Sequence, residues 1–183
     1  SILLPPSITE IGGVAFNSCT ALKEIVIPED VTILGSYAFA NCTSLKEIVI
    51  PEGVTGLNQN TFGGCTALKE IVIPNKIKSI PTGCFNNCTQ LESITLPEGL
   101  KEIDMKALLK CSQLSAITLP ASVTVVGYHA FYDSGITSII VEGILPAKDG
   151  GSGETTTAVE GYLVINNTMN NKSHNLFLPN IKK

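Results

Sequence analysis

One spacing constrains this chain more than any other feature. Pro5, Pro28, Pro51, Pro74, Pro97 and Pro120 follow one another at intervals of 23 residues, without slippage. Eleven residues after each Pro stand Phe16, Phe39, Phe62, Phe85, Leu108 and Phe131. Fourteen after come Cys19, Cys42, Cys65, Cys88 and Cys111, with Ser134 in the last unit. Apolar columns fill the remainder, among them Ile8, Val31, Val54, Ile77, Leu100 and Val123, then Ile11, Leu34, Leu57, Ile80, Ile103 and Val126. So many columns kept over six units specify a solenoid, in which no unit buries its own apolar face and neighbours do so for it.

Each unit has two local characters. The segment from Leu22 to Pro28 (Leu-x-x-Ile-x-Ile-Pro) spaces its apolar residues two apart, which is the period of a strand. Pro closes it, having no N–H for a continuing ladder. The return stretch, as in Leu34-Gly-Ser-Tyr-Ala-Phe-Ala-Asn-Cys42, is too short for an ordinary helix. Its spacing predicts one turn of α- or 3₁₀-helix, with Gly35 easing the bend. Stacking the units predicts a parallel sheet with strands about 4.8 Å apart.

The unit I-x-[IL]-P-x-x-[VIL]-x-x-[IL]-x-x-x-A-F-x-x-C-[TS]-x-L-x-x-I resembles the BspA-like leucine-rich repeat of bacterial surface proteins, and the resemblance spans residues 2–141. It implies a right-handed, β-rich α/β solenoid with the parallel sheet on a concave face and short α- or 3₁₀-turns on the convex one. It also implies a secreted or cell-surface protein used for attachment and protein binding, in a family whose members are not generally enzymes.

The pattern decays towards one end. The fifth unit has Leu108 for Phe and an atypical Asp104-Met105-Lys106; the sixth has Ser134 for Cys and one residue fewer before Thr137–Val141. A terminal rung that meets water instead of another repeat is expected to degenerate in this way. We therefore divide the chain into six repeats, residues 1–141, and a capping segment, residues 142–183. In the latter, Lys148 to Glu154 reads as a flexible Gly/Ser loop. Gly161–Ile165 and Asn175–Pro179 read as two short strands, separated by the Asn-rich stretch Asn166 to Asn175. The run Leu176-Phe-Leu-Pro179 could alternatively open a further rung. At the other end Ser1 stands directly before a strand-like Ile2-Leu3-Leu4-Pro5, with no Met and no signal peptide. The expectation is that preceding sequence was removed, so location is not readable from a missing leader.

Composition narrows the function classes. Of 183 residues, 44% are hydrophobic and 15% charged, which opposes disorder. No apolar run approaches the roughly 18 residues of a membrane-spanning helix. The net charge is −4 and every one of the 12 basic residues is Lys, a poor match to nucleic acid, which is gripped by clustered, Arg-rich surfaces. Two His and no Trp leave little for a His-rich metal centre. No nucleophile elbow, Walker loop or H-E-x-x-H motif occurs, and Gly150–Gly153 lacks the Lys-Ser/Thr of a phosphate loop. Neither a cofactor nor a metal is expected.

The Cys column places neighbouring thiols one rung apart, within the reach of a disulfide, but stacked equivalents point their Cβ atoms in parallel. A ladder of buried free thiols acting as small hydrophobes is the expectation, and Ser134 in the same column agrees with a need for small size. Cys84 replaces Ala in its unit, four residues before Cys88; the pair alone does not make a zinc site. His129 and His174 are expected to be structural or solvent-facing. The sequons at Asn41 and Asn87 arise from the repeat itself, and those at Asn166 and Asn171 lie in the polar tail.

The outward face of the strands carries the candidate binding surface. With Leu22, Ile25 and Ile27 inward, Glu24 and Val26 point outward and Lys23 lies at the strand margin. Repetition gives a column of Lys23, Lys46, Lys69, Glu92, Ser115 and Thr137, and a second of Glu24, Glu47, Glu70, Ser93, Ala116 and Ser138. A third reads Val26, Val49, Val72, Thr95, Thr118 and Ile140. Two readings stand beside each other: a solvated face copied by duplication, or a shallow groove with a Val stripe flanked by charge, fit for an extended partner. The second makes the chain a non-catalytic attachment module for an extracellular or host protein, or a glycan. The first makes it a rigid spacer. A third class is weaker: Glu24, Glu47 and Glu70 approach the roughly 5 Å separation of a retaining glycosidase pair. Catalysis of that kind needs two unlike environments, and three identical rungs offer one environment three times.

Overall fold

The computed structural model describes residues 2–141, 166–169 and 172–175. Each Leu-x-x-Ile-x-Ile-Pro segment lies beside its counterpart in the next unit. As regular strands these are β3 (Glu70–Val72), β5 (Ser93–Thr95), β7 (Ala116–Leu119) and β9 (Ser138–Val141). β3 pairs parallel with β5 at an offset of one unit, Glu70 opposite Ser93 and Val72 opposite Thr95. β7 pairs parallel with β9, but Ala116 meets Ser138, so the register there is 22 residues and not 23. The residue missing from the sixth unit is thus absorbed in its turn, before Thr137, and the sheet continues. In the earlier units an Ile2–Ile25 bridge and backbone bonds from Lys46 N–H to Lys23 and from Lys69 N–H to Lys46 continue the same ladder.

A second parallel ladder follows each Pro, and the sequence period does not announce it. It consists of two-residue strands: β1 (Glu10–Ile11) pairs with β2 (Ile33–Leu34), and β4 (Ser79–Ile80), β6 (Glu102–Ile103) and β8 (Val125–Val126) form a three-stranded sheet. An Ile33–Gly56 bridge carries it through the third unit. Strands this short show no alternation, and only their inward residue, such as Leu34 or Ile80, is legible as a column.

The return stretch corrects the expectation of helical turns, since no helix occurs among the described residues. Its amides alternate between two kinds of partner. Phe39 N–H donates to Thr61 of the next coil at 2.8 Å and Asn41 N–H to Gly63 at 2.7 Å, whereas Ala40 and Cys42 N–H turn back to Tyr37 and Phe39. The alternation depends on two columns of left-handed residues. One is Val14, Tyr37, Asn60, Gly83, Lys106 and His129; the other is Ser18, Asn41, Gly64, Asn87, Lys110 and Asp133. A left-handed residue interrupts any α-helix, at a cost of about 1–2 kcal/mol for a residue with a Cβ. Here every second amide gains an inter-coil hydrogen bond in exchange. Gly64 is required for a further reason: a Cβ on it would collide with the side-chain oxygen of Asn41, packed over it from the preceding coil.

The core lies between the two ladders and the return stretch. Val31, Leu34, Phe39, Cys42 and Leu45 are fully buried, as are their counterparts in the next coil except Leu57, which is 7% exposed. Each such Ile, Leu or Phe contributes on the order of 1.5–3 kcal/mol by leaving water. The Phe rings stack nearly parallel, 5.3 Å between Phe16 and Phe39, 5.6 Å between Phe39 and Phe62, and 5.5 Å between Phe62 and Phe85. Thr61 is a buried polar residue in the Ala column and is fully satisfied: its hydroxyl donates to Asn58 O and accepts from Asn58 N–H.

Within the tail, Asn166–Met169 (β10) and Lys172–Asn175 (β11) pair antiparallel, Asn166 opposite Asn175. Both fall in the Asn-rich stretch read above as the connection between two strands. The expected strand at 161–165, the one at 175–179 apart from Asn175, and the Gly/Ser loop at 148–154 lie outside the described residues.

Candidate functional site

Alternation along the first sheet decides which side chains a partner can reach. Ile25, Ile48, Ile71, Ile94 and Ile117 face the core, so Glu24, Glu47 and Glu70 on one side and Val26, Val49 and Val72 on the other must face water. The three Val are 77%, 78% and 61% exposed, which no core requirement explains. Thr95 and Thr118 continue the stripe, exposed, and Ile140 ends it half-exposed. Lys23, Lys46 and Lys69 stand at the strand entrance, where the backbone turns from the return stretch, and all three are exposed.

The structure brings the Lys and Glu columns together. They line one shallow surface groove of ≈ 500 Å³, shared by Lys23, Glu24, Lys46, Glu47, Lys69, Glu70, Glu92 and Ser93. The Val stripe, with Thr95 and Thr118, lies beyond its lining. All of these residues stand on the accessible face; the depression itself follows the charged columns, with the Val stripe to one side. One contact went unforeseen. Lys69 Nζ sits 3.7 Å from Glu92 in the next rung, where the Lys column changes sign. Both side chains are exposed, so the pair contributes at most about 1 kcal/mol. The signal was present in the column itself, as a Glu one rung after a Lys.

Glu24, Glu47 and Glu70 repeat the same exposed position on this groove, and Glu24 also borders a second surface depression with Ile2, Cys19 and Thr20. The described residues hold no group of three or more His, Cys, Asp or Glu arranged to bind a metal ion. They also contain no helix long and apolar enough to cross a membrane.

The six thiols are free. Burial pushes the Cys42 thiol up to about 11 and those of Cys65 and Cys111 to about 12, and raises Cys84 and Cys88 as well. Neighbouring thiols add to the rise at Cys42, Cys65 and Cys88, while hydrogen bonding opposes it. Such thiols stay protonated at neutral pH and are poor nucleophiles. His129, expected to be structural or solvent-facing, is held between Tyr128 and Tyr132, ring centroids 3.6 and 4.8 Å away. Its Nε2 is buried without a hydrogen-bond partner.

Two parallel ladders and a stacked core repeated at 23 residues define a leucine-rich-repeat solenoid of about six turns. The chain belongs to the BspA type leucine-rich-repeat family, whose pattern matches residues 33–145 in six copies. A leucine-rich cell surface protein from Faecalibacterium prausnitzii is 33% identical, with TM-score 0.70 over 75% of this chain and 37% of that one. A leucine-rich repeat protein from Eubacterium ventriosum is 34% identical, with TM-score 0.67 over 74% and 37%. The T. pallidum leucine-rich repeat protein is 26% identical, with TM-score 0.62 over 74% and 71%. The chain thus spans 37% of the length of the first two. No curated protein matches it.

Proposed function

We propose that the chain is a non-catalytic binding module of a bacterial surface or secreted protein. It attaches to an extracellular or host protein, or to a glycan, through the sheet face bearing the Lys, Glu and Val columns. In this reading the solenoid is right-handed, that face is concave, and residues 142–183 cap the last coil. The observation that carries the proposal is the exposure of three identical Lys-Glu-Ile-Val-Ile-Pro rungs, with bare Val beside a charged groove. Membership of a repeat family with a cell-surface relative agrees with it. The test is attachment of Val49→Asp/Glu47→Lys to immobilised matrix proteins and to cells. Loss of attachment with an unchanged melting temperature supports the reading; attachment equal to that of the unaltered chain removes it.

A spacer without a ligand of its own is the second reading. It is favoured by the uninterrupted Phe16–Phe39–Phe62–Phe85 stack, which stiffens the rod along its axis. Attachment by the unaltered chain alone would end it.

A further inference from the structure

The Lys and Glu columns find almost no counterpart among the described residues. Lys69–Glu92 is the ion pair among the described residues, leaving Lys23, Lys46, Glu24, Glu47 and Glu70 unpaired. Each column also stacks like charges one rung apart, about 4.8 Å, which is unfavourable for each column taken alone. An occupant that relieves all three rungs together must repeat both signs at that spacing. A strand lying along the columns repeats same-face side chains about every 6.6–6.8 Å and drifts out of step by about 4 Å over two rungs. A polyanionic glycan would meet the Glu column, and the face has no aromatic platform for a neutral one. A helix comes back to one face about every 5.4 Å, nearer in spacing, but needs separate acidic and basic flanks over two turns. A second copy of this chain carries both columns, side by side, at the same rise.

We infer that this face is a self-association surface. Two copies meet face to face about a two-fold axis that runs parallel to the columns and between them. That rotation exchanges the columns and preserves rung order, so Lys23, Lys46 and Lys69 of each copy stand opposite Glu24, Glu47 and Glu70 of the other. The interface is isologous and holds six Lys–Glu contacts, with Lys69 shared between its own Glu92 and Glu70 of the second copy. The inference rests on the proposal above that this face docks a partner, and it names one.

Charge exchange tests it. The 183-residue chain is followed by sedimentation equilibrium at about 50 mM salt, where screening is weak, and at about 1 M, where it is strong. A dimer is expected at low salt that weakens at high salt. Lys46→Glu alone and Glu47→Lys alone should each weaken self-association at least about tenfold. An equimolar mixture of the two should restore it as a heterodimer, because the carboxylate introduced at position 46 of one chain then faces the ammonium introduced at position 47 of the other. Single substitutions at exposed positions keep the fold, which circular dichroism melting verifies. A chain that stays monomeric up to about 0.5 mM, far above a micromolar Kd, overturns the inference. So does a dimer that both variants leave intact, or a mixture that does not recover. Attachment assays on the same proteins separate the two readings. A monomer that binds matrix and loses binding with Glu47→Lys ends self-association only; a dimer that obeys the exchange but attaches to nothing ends the attachment reading only.

Discussion

The thiol of Cys65 donates a 3.2 Å hydrogen bond to the carbonyl of Phe39, 26 residues earlier and one coil away. Cys42 makes the same bond to Phe16, Cys88 to Phe62 and Cys111 to Phe85. Each Phe carbonyl in the middle of the rod thereby serves two donors, the N–H of the Cys in its own coil and the S–H of the next; Phe62, for instance, accepts from Cys65 N–H at 3.1 Å. The column requires a residue that is small, apolar and still able to donate. In the sixth unit Ser134 turns its hydroxyl to its own Phe131 instead, 2.6 Å away.

Replacing Cys65 by Ala removes a donor and opens a void at a fully buried position. The expected cost is about 1–3 kcal/mol, combining a lost hydrogen bond with a small cavity. Cys65→Ser keeps the donor and should cost less. Urea unfolding of the two variants checks the order; Ala equal to or better than Ser would show that the S–H bond contributes nothing.

The raised thiol pKa values set an alkaline limit on stability. In the unfolded chain a thiol ionises near 9.0, whereas folded Cys65 ionises only near 12. A group raised in the folded state supports folding fully below its unfolded value and loses that support as pH rises through the folded one. Stability should therefore fall between pH 9 and pH 12, for Cys65 by up to about 1.4 kcal/mol per pH unit. The difference in urea midpoint between the unaltered chain and Cys65→Ser, followed across this window, isolates the thiol from Lys and Tyr; a constant difference would refute the assignment.

Accessibility separates the thiols sharply. Cys19 is half-buried and borders a surface depression with Ile2, Thr20 and Lys23, while the other five are buried. A maleimide should label Cys19 first, at neutral pH, and the rest only on unfolding. Mass spectrometry without reductant should then count six labels. Fewer would mean bridged thiols.

Phe62 stacks on rings both above and below it. Phe62→Ala should cost about 3–5 kcal/mol. Phe62→Leu should cost well under half of that, since Leu108 holds the same position in the fifth coil, fully buried. Thermal or urea unfolding reads both, and equal losses would mean that filling the column with any apolar side chain is not sufficient.

The Lys69–Glu92 pair should matter little to stability. Glu92→Gln is expected to shift unfolding by less than about 1 kcal/mol, because both groups are exposed at 63% and 60%. A larger loss would mean that the ion pair, and not the core columns, holds the rungs in register.

Much of this was legible in the period. The period assigns Phe39, Cys42 and Leu45 inward, and Glu47 and Val49 outward, because a position repeated in every unit must serve the same environment in every coil. The missing residue of the sixth unit was visible too, and reappears as the 22-residue register between Ala116 and Ser138. Less legible was the return stretch. Ala38-Phe39 followed by Cys42 fits a helical turn as spacing, yet Tyr37 and Asn41 adopt left-handed conformations that a helix forbids. Asn41, Asn60, Gly64, Gly83 and Asn87 are residue types that favour that conformation and carry a partial signal, whereas Tyr37, Val14 and Lys106 rarely adopt it and do so because the coil above supplies an acceptor for alternate amides. The two-residue ladder through Ile33–Leu34 was hidden for a related reason, being too short to alternate.

The sequence by itself determined the number of coils, their stacking order and the side of the sheet on which Lys46, Glu47 and Val49 stand, since periodicity dictates which residue lies on which. Tertiary structure alone decided the partners: Cys65 with Phe39, Lys69 with Glu92, and the charged groove running between two columns with Val to one side. Hydrogen bonds and ion pairs form between atoms of different coils, over separations near one repeat. Their choice depends on backbone geometry that exists only after the coils have stacked.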